Sequence, residues 1–202
     1  FFIDTASTFI KIIPQHYAIP IKTTDIVNLA MCKTATASEE EPGTEFKATK
    51  AVDGIVNRDV ANKADQSRWG TNQLDGTEEA WLKVDLGETK TIQSFVIAWE
   101  RQNITGYQIQ ISNTGNNDWE TVYTKDGNGE ISDVVETIHL NEAVTAQYVR
   151  LLVTGYNGKY VNGNPNADWK SVSVYEFQVY ENDIPDDLLP DENYRSEEHT
   201  SE

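Results

Sequence analysis

The sequence has a single cysteine, Cys32, and only 16 lysines and arginines against 33 acidic side chains in 202 residues. One cysteine excludes an intrachain disulfide and any zinc site built on cysteine ligands. The net charge of −17 argues against nucleic acid and against anionic lipid as partners, because both require basic side chains to meet phosphate. No hydrophobic run approaches the ~20 residues of a membrane-spanning helix. We therefore expect no nucleic acid and no membrane among the partners of this chain.

Aromatic residues, by contrast, make up 10% of the chain and include five tryptophans. This content is too high for a wholly disordered protein. All five tryptophans fall within residues 28–180, which we take as one folded module. Residues 1–27 are expected to be a linker or the last strand of a neighbouring domain. Residues 181–202 carry nine acids against Arg195 alone, and we expect them to form a flexible acidic tail.

Within the module, apolar residues alternate with polar ones, which is the period of half-buried β-strands. Such patterns lie at 80–86, 91–99, 107–112, 119–123, 134–140, 148–154 and 171–180, with a short helical turn at 45–51. Gly87 is expected to end the first strand of this set. Because the strands are short and separated by turn signals, the sequence predicts an all-β, antiparallel β-sandwich. Trp69, Trp81 and Trp99 lie in strand patterns and are expected in its core.

No catalytic motif is present. His16, His139 and His199 have no HxxxH or HExxH context, and the chain has no GxSxG segment. Carboxylates are numerous, so a small β-sandwich lyase or hydrolase that uses acidic side chains stays open as an alternative.

Two carboxylates are candidate ligands of a cation. Asp53 and Gly54 end the helical turn, and calcium takes several carboxylate and carbonyl oxygens of the kind that such a loop supplies. An Asp-Gly pair is more often an ordinary turn. Glu176 lies within the apolar strand 174–180, where it either faces solvent by alternation or is neutralised by a cation.

Seven segments in order across residues 28–180 resemble the landmarks of the discoidin-like, coagulation factor V/VIII C-type domain superfamily. They are 28–38 (NLAMCKTATAS), 51–54 (AVDG), 67–69 (SRW), 81–87 (WLKVDLG), 107–113 (YQIQISN), 148–151 (YVRL) and 175–180 (YEFQVY). The bacterial branch, carbohydrate-binding module family 32, is the most similar. The disulfide that joins the two ends of animal discoidin domains cannot form with one cysteine.

The resemblance implies a β-sandwich jelly roll of the galactose-binding-domain-like type, with one structural calcium ion. Its ligands in the family are backbone and side-chain oxygens of the Asp-Gly loop and of the last strand. In this sequence they correspond to the Lys50 carbonyl, the Asp53 carboxylate, Ser67, the Tyr175 carbonyl and the Glu176 carboxylate. The segment 55–66 is longer than the usual family loop, so Ile55, Asn57 and Asp59 stay open as further oxygen donors.

Sugars bind in this family on loops at one end of the sandwich, which correspond here to residues 70–79, 100–105 and 155–170. A pyranose stacks its C–H face on an aromatic ring, and its hydroxyls require fixed polar groups. The expected sugar-binding side chains are Arg101, Asn103, Tyr156, Tyr160, Trp169 and Asn72. These loops lack the histidine of galactose-binding members, so galactose, an N-acetylhexosamine and another hexose or glucan stay open.

We therefore predict a non-catalytic carbohydrate-binding module cut from a larger, secreted bacterial glycan-active enzyme such as a glycoside hydrolase. The module would be extracellular and monomeric within its multidomain chain, and it would hold the enzyme on its glycan. The alternative is a discoidin-type adhesion module that binds a protein partner.

Overall fold

The computed structural model describes residues 26–161 and 164–185, without the side chains of 159–161 and 164–167. The described residues form nine strands: β1 (Thr34–Ala37), β2 (Trp69–Gly70), β3 (Ala80–Trp99), β4 (Ile104–Ser112), β5 (Glu120–Lys125), β6 (Val135–Tyr156), β7 (Gly158–Val161), β8 (Asn164–Lys170) and β9 (Ser173–Tyr180). Short 3₁₀ helices span Ala48–Val52 and Lys63–Asp65. No described helix has the length and hydrophobicity required to span a bilayer.

Two long strands, β3 and β6, pair antiparallel with each other and bend together. Their register shifts between Asp85 and Lys90, on either side of Gly87. Gly87 has φ = +86°, a left-handed conformation that glycine adopts without steric strain, and its N–H donates to the Asp85 carboxylate at 2.8 Å. The prediction that Gly87 ends the strand is therefore wrong. The chain bends there and continues, because β6 follows it through the bend.

The bend divides the strands into two packed layers. One layer contains β1, the first half of β3, the second half of β6, β4 and β5, and the other contains β2, β9, the second half of β3 and the first half of β6. The apolar core lies between the layers, where the parallel rings of Phe95 and Phe177 stack with centroids 6.0 Å apart. The predicted antiparallel β-sandwich is confirmed.

The tryptophans of the strands divide between this core and the surface. Trp69 and Trp99 are fully buried, as predicted, and their indole N–H groups donate to Glu39 and Glu136. Trp81 is only half-buried. It lies on the outer face of β3, because Leu82 and Val84 take the inward positions of the alternation.

The bend also places both ends of β3 at the same end of the sandwich. The segments 71–79, 100–103, 157–161 and 164–172 therefore meet at this end, which we call the rim. At the opposite end, Asn28 forms a β-bridge with Tyr180.

The chain remains packed on the module for several residues beyond Tyr180. The Asn182 carbonyl accepts a hydrogen bond from Ser94 at 2.7 Å, Asp183 pairs with His139, and Ile184 is only 3% exposed. Residues 182–184 thus pack on the module, within the segment that is predicted to form the acidic tail. Most of that tail, and residues 1–25 of the predicted N-terminal linker, lie outside the described residues.

Candidate functional site

The rim is built around the segment that precedes β9. On one side, the backbone N–H groups of Thr71 and Leu74 donate to the carbonyls of Val172 and Lys170 at 2.9 and 2.8 Å. On the other side, the N–H of Glu100 donates to the Ser173 carbonyl at 3.0 Å. The three rim segments are thus joined by backbone hydrogen bonds, which restricts the motion of the side chains that they carry.

Three of the predicted sugar-binding residues offer surface at the rim. Trp169 is half-buried in β8, and Asn72 is exposed. The Arg101 side chain is 27% exposed, forms an ion pair with Glu100 at 2.9 Å and donates to the Ser171 hydroxyl at 3.5 Å. An indole, an amide and a guanidinium on joined loops are the groups with which proteins contact sugar rings and hydroxyls.

Two other predicted residues lie at the rim but are buried. Tyr156 is 6% exposed, and its hydroxyl donates to the Glu78 carbonyl at 2.8 Å. Asn103 is 3% exposed, and its amide nitrogen donates to the carbonyls of Asn157 and Ser171, both at 3.0 Å. Their burial argues against the prediction that they contact sugar, because neither presents an open surface to a ligand. Both fasten the loops together.

The Tyr160 side chain lies outside the described residues. Exposed carboxylates surround the rim side chains and come from Asp75, Glu78 and Asp168. The N–H and hydroxyl of Thr77 hold the pKa of Asp75 below its ordinary value, and the Lys170 ammonium lies 3.6 Å from the Asp168 carboxylate.

The candidate metal ligands lie on the outer face of the other layer. The Asp53 carboxylate accepts hydrogen bonds from the Ser67 hydroxyl and from the Ile55 N–H, the latter at 3.0 Å. Glu176 of β9 is fully buried and accepts the N–H of Gly54 at 2.7 Å. Residues that are far apart in sequence thus form one oxygen-rich cluster of Asp53, Ser67 and Glu176.

Glu176 is in an unfavourable environment for a carboxylate. Burial, reinforced by the nearby charge of Asp53, raises the pKa of Glu176 to about 8, and its second oxygen, Oε2, has no hydrogen-bond partner among the described residues. A buried acceptor without a partner costs free energy, and a cation would remove this cost. The donor set is made of oxygens, as calcium prefers.

Lys50 and Tyr175 are predicted to contribute their backbone carbonyls to the calcium site. Lys50 belongs to the 3₁₀ helix that leads to Asp53, and its ammonium lies 3.6 Å from the Asp53 carboxylate. Tyr175 packs its ring under the guanidinium of Arg58, at 4.7 Å. No group of three or more His, Cys, Asp or Glu side chains suited to a metal occurs among the described residues, so a calcium shell here would need carbonyl and hydroxyl oxygens.

A family comparison identifies this architecture. The F5/F8 type C family, described as a NedA-like, galactose-binding domain, matches residues 50–151. The chain belongs to this family. The resemblance found in the sequence is therefore confirmed, and the match contains Asp53, Ser67 and the Arg101 loop.

Solved structures of F5/F8 type C domains include carbohydrate-binding modules. Chitosan-binding module 1 from a Paenibacillus sp. IK-5 chitosanase/glucanase is 33% identical, with 76% of this chain and 98% of that chain covered and a TM-score of 0.57. Module 2 of the same enzyme, solved with chitotriose, is 29% identical, with 76% and 99% covered and a TM-score of 0.57. A family 32 module of Clostridium perfringens, solved with GalNAc-β-1,3-galactose, shares the fold at 22% identity, with 77% and 99% covered and a TM-score of 0.53.

A curated relative places a similar domain in a large enzyme. The polysaccharide lyase 8 family protein HylA of Enterococcus faecalis is 27% identical over 165 residues, which are 78% of this chain and 11% of that protein. The chain thus spans about a tenth of the length of this relative. Taken together, the matches show a carbohydrate-binding-module-like domain.

Sequence reasoning missed one group of half-buried side chains that lie together on the outer face of the first layer: Trp81, Lys83, Trp119 and Arg150. The alternation of inward and outward residues in β3 could have predicted this group. With Leu82 and Val84 inside, Trp81 and Lys83 must face outward together.

Proposed function

We propose that this F5/F8 type C domain is a non-catalytic carbohydrate-binding module that holds a larger glycan-active enzyme on its substrate through the rim. The observation that carries the proposal is the convergence of three hydrogen-bonded loops that present Trp169, Arg101 and Asn72 at one end of the sandwich. Because the loops are already joined, little conformational entropy is lost when a sugar binds.

The charge of the rim supports an amino sugar as the ligand. The carboxylates of Asp75, Glu78 and Asp168 are exposed at the rim, where the basic side chains of Arg101 and Lys170 already pair with Glu100 and Asp168. An ammonium group on a sugar is attracted to such carboxylates. A similar module binds chitotriose, which agrees with this choice. We propose that the module binds hexosamine-containing glycans, with Trp169 stacking on one pyranose ring.

We further propose that the Asp53, Ser67 and Glu176 cluster holds a structural calcium ion, with the Lys50 and Tyr175 carbonyls as further ligands. The support is the partnerless Oε2 of the buried Glu176 and the proximity of a second carboxylate. Bound calcium would stabilise the loop against β9 and take no part in sugar binding.

The parent protein is proposed to be a secreted bacterial enzyme, either a glycoside hydrolase or a polysaccharide lyase, in which this domain acts as a monomeric unit. A single shallow site gives weak binding, and several modules on one chain would raise the avidity.

Isothermal titration with chitotriose tests the rim. We expect Trp169→Ala to weaken binding about tenfold, because a stacking surface is removed. Trp119→Ala, which removes a half-buried indole far from the rim loops, should leave the chitotriose affinity unchanged. Equal affinities for the wild type and Trp169→Ala would contradict the proposal. A folded chain that binds no glycan would favour the protein-adhesion alternative, and turnover of glycan by the isolated chain would favour an enzyme.

A further inference from the structure

Two basic residues lie directly opposite each other on the outer face of the first layer. Lys83 of β3 is in register with Arg150 of β6, and both side chains face outward. Like charges in directly opposed positions destabilise a strand pair. Neither side chain forms an ion pair with a described residue, and the Lys83 ammonium contacts only the Gly115 carbonyl, at 3.4 Å. In a chain of net charge −17, this positive patch forms no ion pair with an acidic side chain among the described residues.

The guanidinium of Arg150 is fixed in place by its neighbours. Its Nε donates to Oε1 of Gln110 at 2.8 Å, its Nη2 donates to the same oxygen, and its Cζ lies 4.2 Å from the centre of the Trp119 ring. A guanidinium has five N–H donors, so several of them remain for a ligand. Three carboxylates belong to neighbouring segments. Asp85 accepts from Gly87 and Gln147, Asp118 accepts from Asn113 and Thr114, and Glu79 acts on Arg150 without forming an ion pair.

Two tryptophans border this patch. Trp81 and Trp119 are half-buried and, with Lys83 and Arg150, line a depression of about 500 Å³. Unlike the buried Trp69, neither indole N–H donates to a described residue. Half-buried rings with free N–H groups beside cations are suited to a flat, partly apolar ligand that also carries hydrogen-bond acceptors.

The remaining wall of the depression is a rigid turn. Asn116 and Asn117 line it, and the turn that carries them is organised by the Asp118 carboxylate. This carboxylate accepts the N–H groups of Asn113 and Thr114 at 3.1 and 3.2 Å. The two asparagine side chains are therefore presented on a fixed backbone, as a binding site requires.

We propose that this face is a second carbohydrate-binding site, separate from the rim, that takes a pyranoside bearing an anionic group, either a carboxylate or a sulfate ester. The sugar ring would lie against Trp81 or Trp119. Its anionic group would accept hydrogen bonds from Lys83 and Arg150, and Asn116 and Asn117 would contact its hydroxyls. The charge of the patch selects against the amino sugars that we assign to the rim.

Titration calorimetry of the whole chain tests this site with three matched ligands: trigalacturonate, neutral galactotriose and a sulfated galactose trisaccharide. We expect binding of one or both anionic ligands and much weaker binding of galactotriose. Lys83→Gln removes the unpaired charge and disturbs only the long hydrogen bond to the Gly115 carbonyl, and it should reduce affinity for the anionic ligand about tenfold. Raising the salt concentration should weaken this binding as well. The anionic ligand that binds with the higher affinity shows whether the site prefers a carboxylate or a sulfate ester.

Three control variants separate this site from the rim and from general effects on charge or folding. Lys90→Gln removes a half-buried lysine at the bend, which pairs with Glu88, and should have no effect, while Trp119→Ala should reproduce the loss. Trp169→Ala should leave anionic binding intact and weaken chitotriose binding only. Thermal melts establish that each variant is folded. The proposal is overturned if the folded chain binds no anionic trisaccharide, if galactotriose binds equally well, or if anionic binding is lost in Trp169→Ala and kept in Lys83→Gln.

Discussion

Gly54 donates its backbone N–H to the Glu176 carboxylate at 2.7 Å across 122 positions of sequence. This contact joins the loop after the first 3₁₀ helix to the last strand. It leaves the other oxygen of Glu176 buried without a partner among the described residues. A cation bound by this oxygen and by the Asp53 carboxylate would add a second link between the loop and the last strand.

Calcium should therefore control stability in a pH-dependent way. Without calcium, the raised pKa of Glu176, about 8, means that the folded chain keeps a proton that the unfolded chain loses near its ordinary pKa of about 4.3. Stability in chelator should accordingly fall as pH rises from about 4.5 to 8. Added calcium should restore it at pH 8, by about 2.7 kcal/mol at 100 times its Kd. Thermal melts across this pH range are the measurement.

Glu176→Gln provides the control for this prediction. The amide carries no charge, so the variant should lose both the decline with pH and the response to calcium. In chelator at pH 8 it should melt above the wild type. A melting temperature of the wild type that does not respond to chelator would remove the case for calcium.

A side chain at Gly54 should strain the backbone and displace the end of the Met31 side chain. Its φ is +79°, and a Cβ would lie 2.8 Å from Cε of Met31. Gly43 has a similar φ of +73° with nothing within 4 Å of a Cβ, so Gly43→Ala reports the conformational strain alone, about 1–2 kcal/mol. Urea unfolding should show a larger loss for Gly54→Ala, and Met31→Ala in that background should recover part of it. Equal losses at both glycines would mean that Met31 moves aside freely.

Asn103 should matter for stability and not for ligand contacts. Asn103→Ala leaves the carbonyls of Asn157 and Ser171 without their donor in a buried position, at a cost of about 2 kcal/mol. The exposed Asn72→Ala should change the free energy of unfolding by less than about 0.5 kcal/mol, while reducing glycan affinity. Urea denaturation and chitotriose titration of both variants separate the two roles.

Ile184 should contribute to the fold although it lies in the acidic segment. Its side chain is 3% exposed, so Ile184→Ala should destabilise the chain by about 2 kcal/mol. Ile26→Ala, at a residue that is 49% exposed, serves as the matched control and should have almost no effect. If both variants unfold at the same urea concentration, the module ends before Ile184.

The sequence predicted the sandwich well because its alternation records which face of each strand is buried. It predicted Gly87 wrongly, because a glycine with a left-handed φ looks the same locally in a turn and in a bend. Only the distant pairing with β6 decides between them. Tyr156 and Asn103 were predicted to contact sugar because polar loops are usually exposed. In the structure, these loops fold over both side chains. Trp81 was assigned to the core by residue type, although its neighbours Leu82 and Val84 already take the inward positions.

The bridge between Asn28 and Tyr180 brings the first and last segments of the module together, which determines how the domain can be connected to a larger protein. The two ends of the described module lie beside this pair of residues, at the end of the sandwich opposite the rim. The domain can thus be attached at the end of a linker, or inserted into a surface loop of another domain, without its own connections obstructing the rim. A long polymer can then pass over the far pole in either direction.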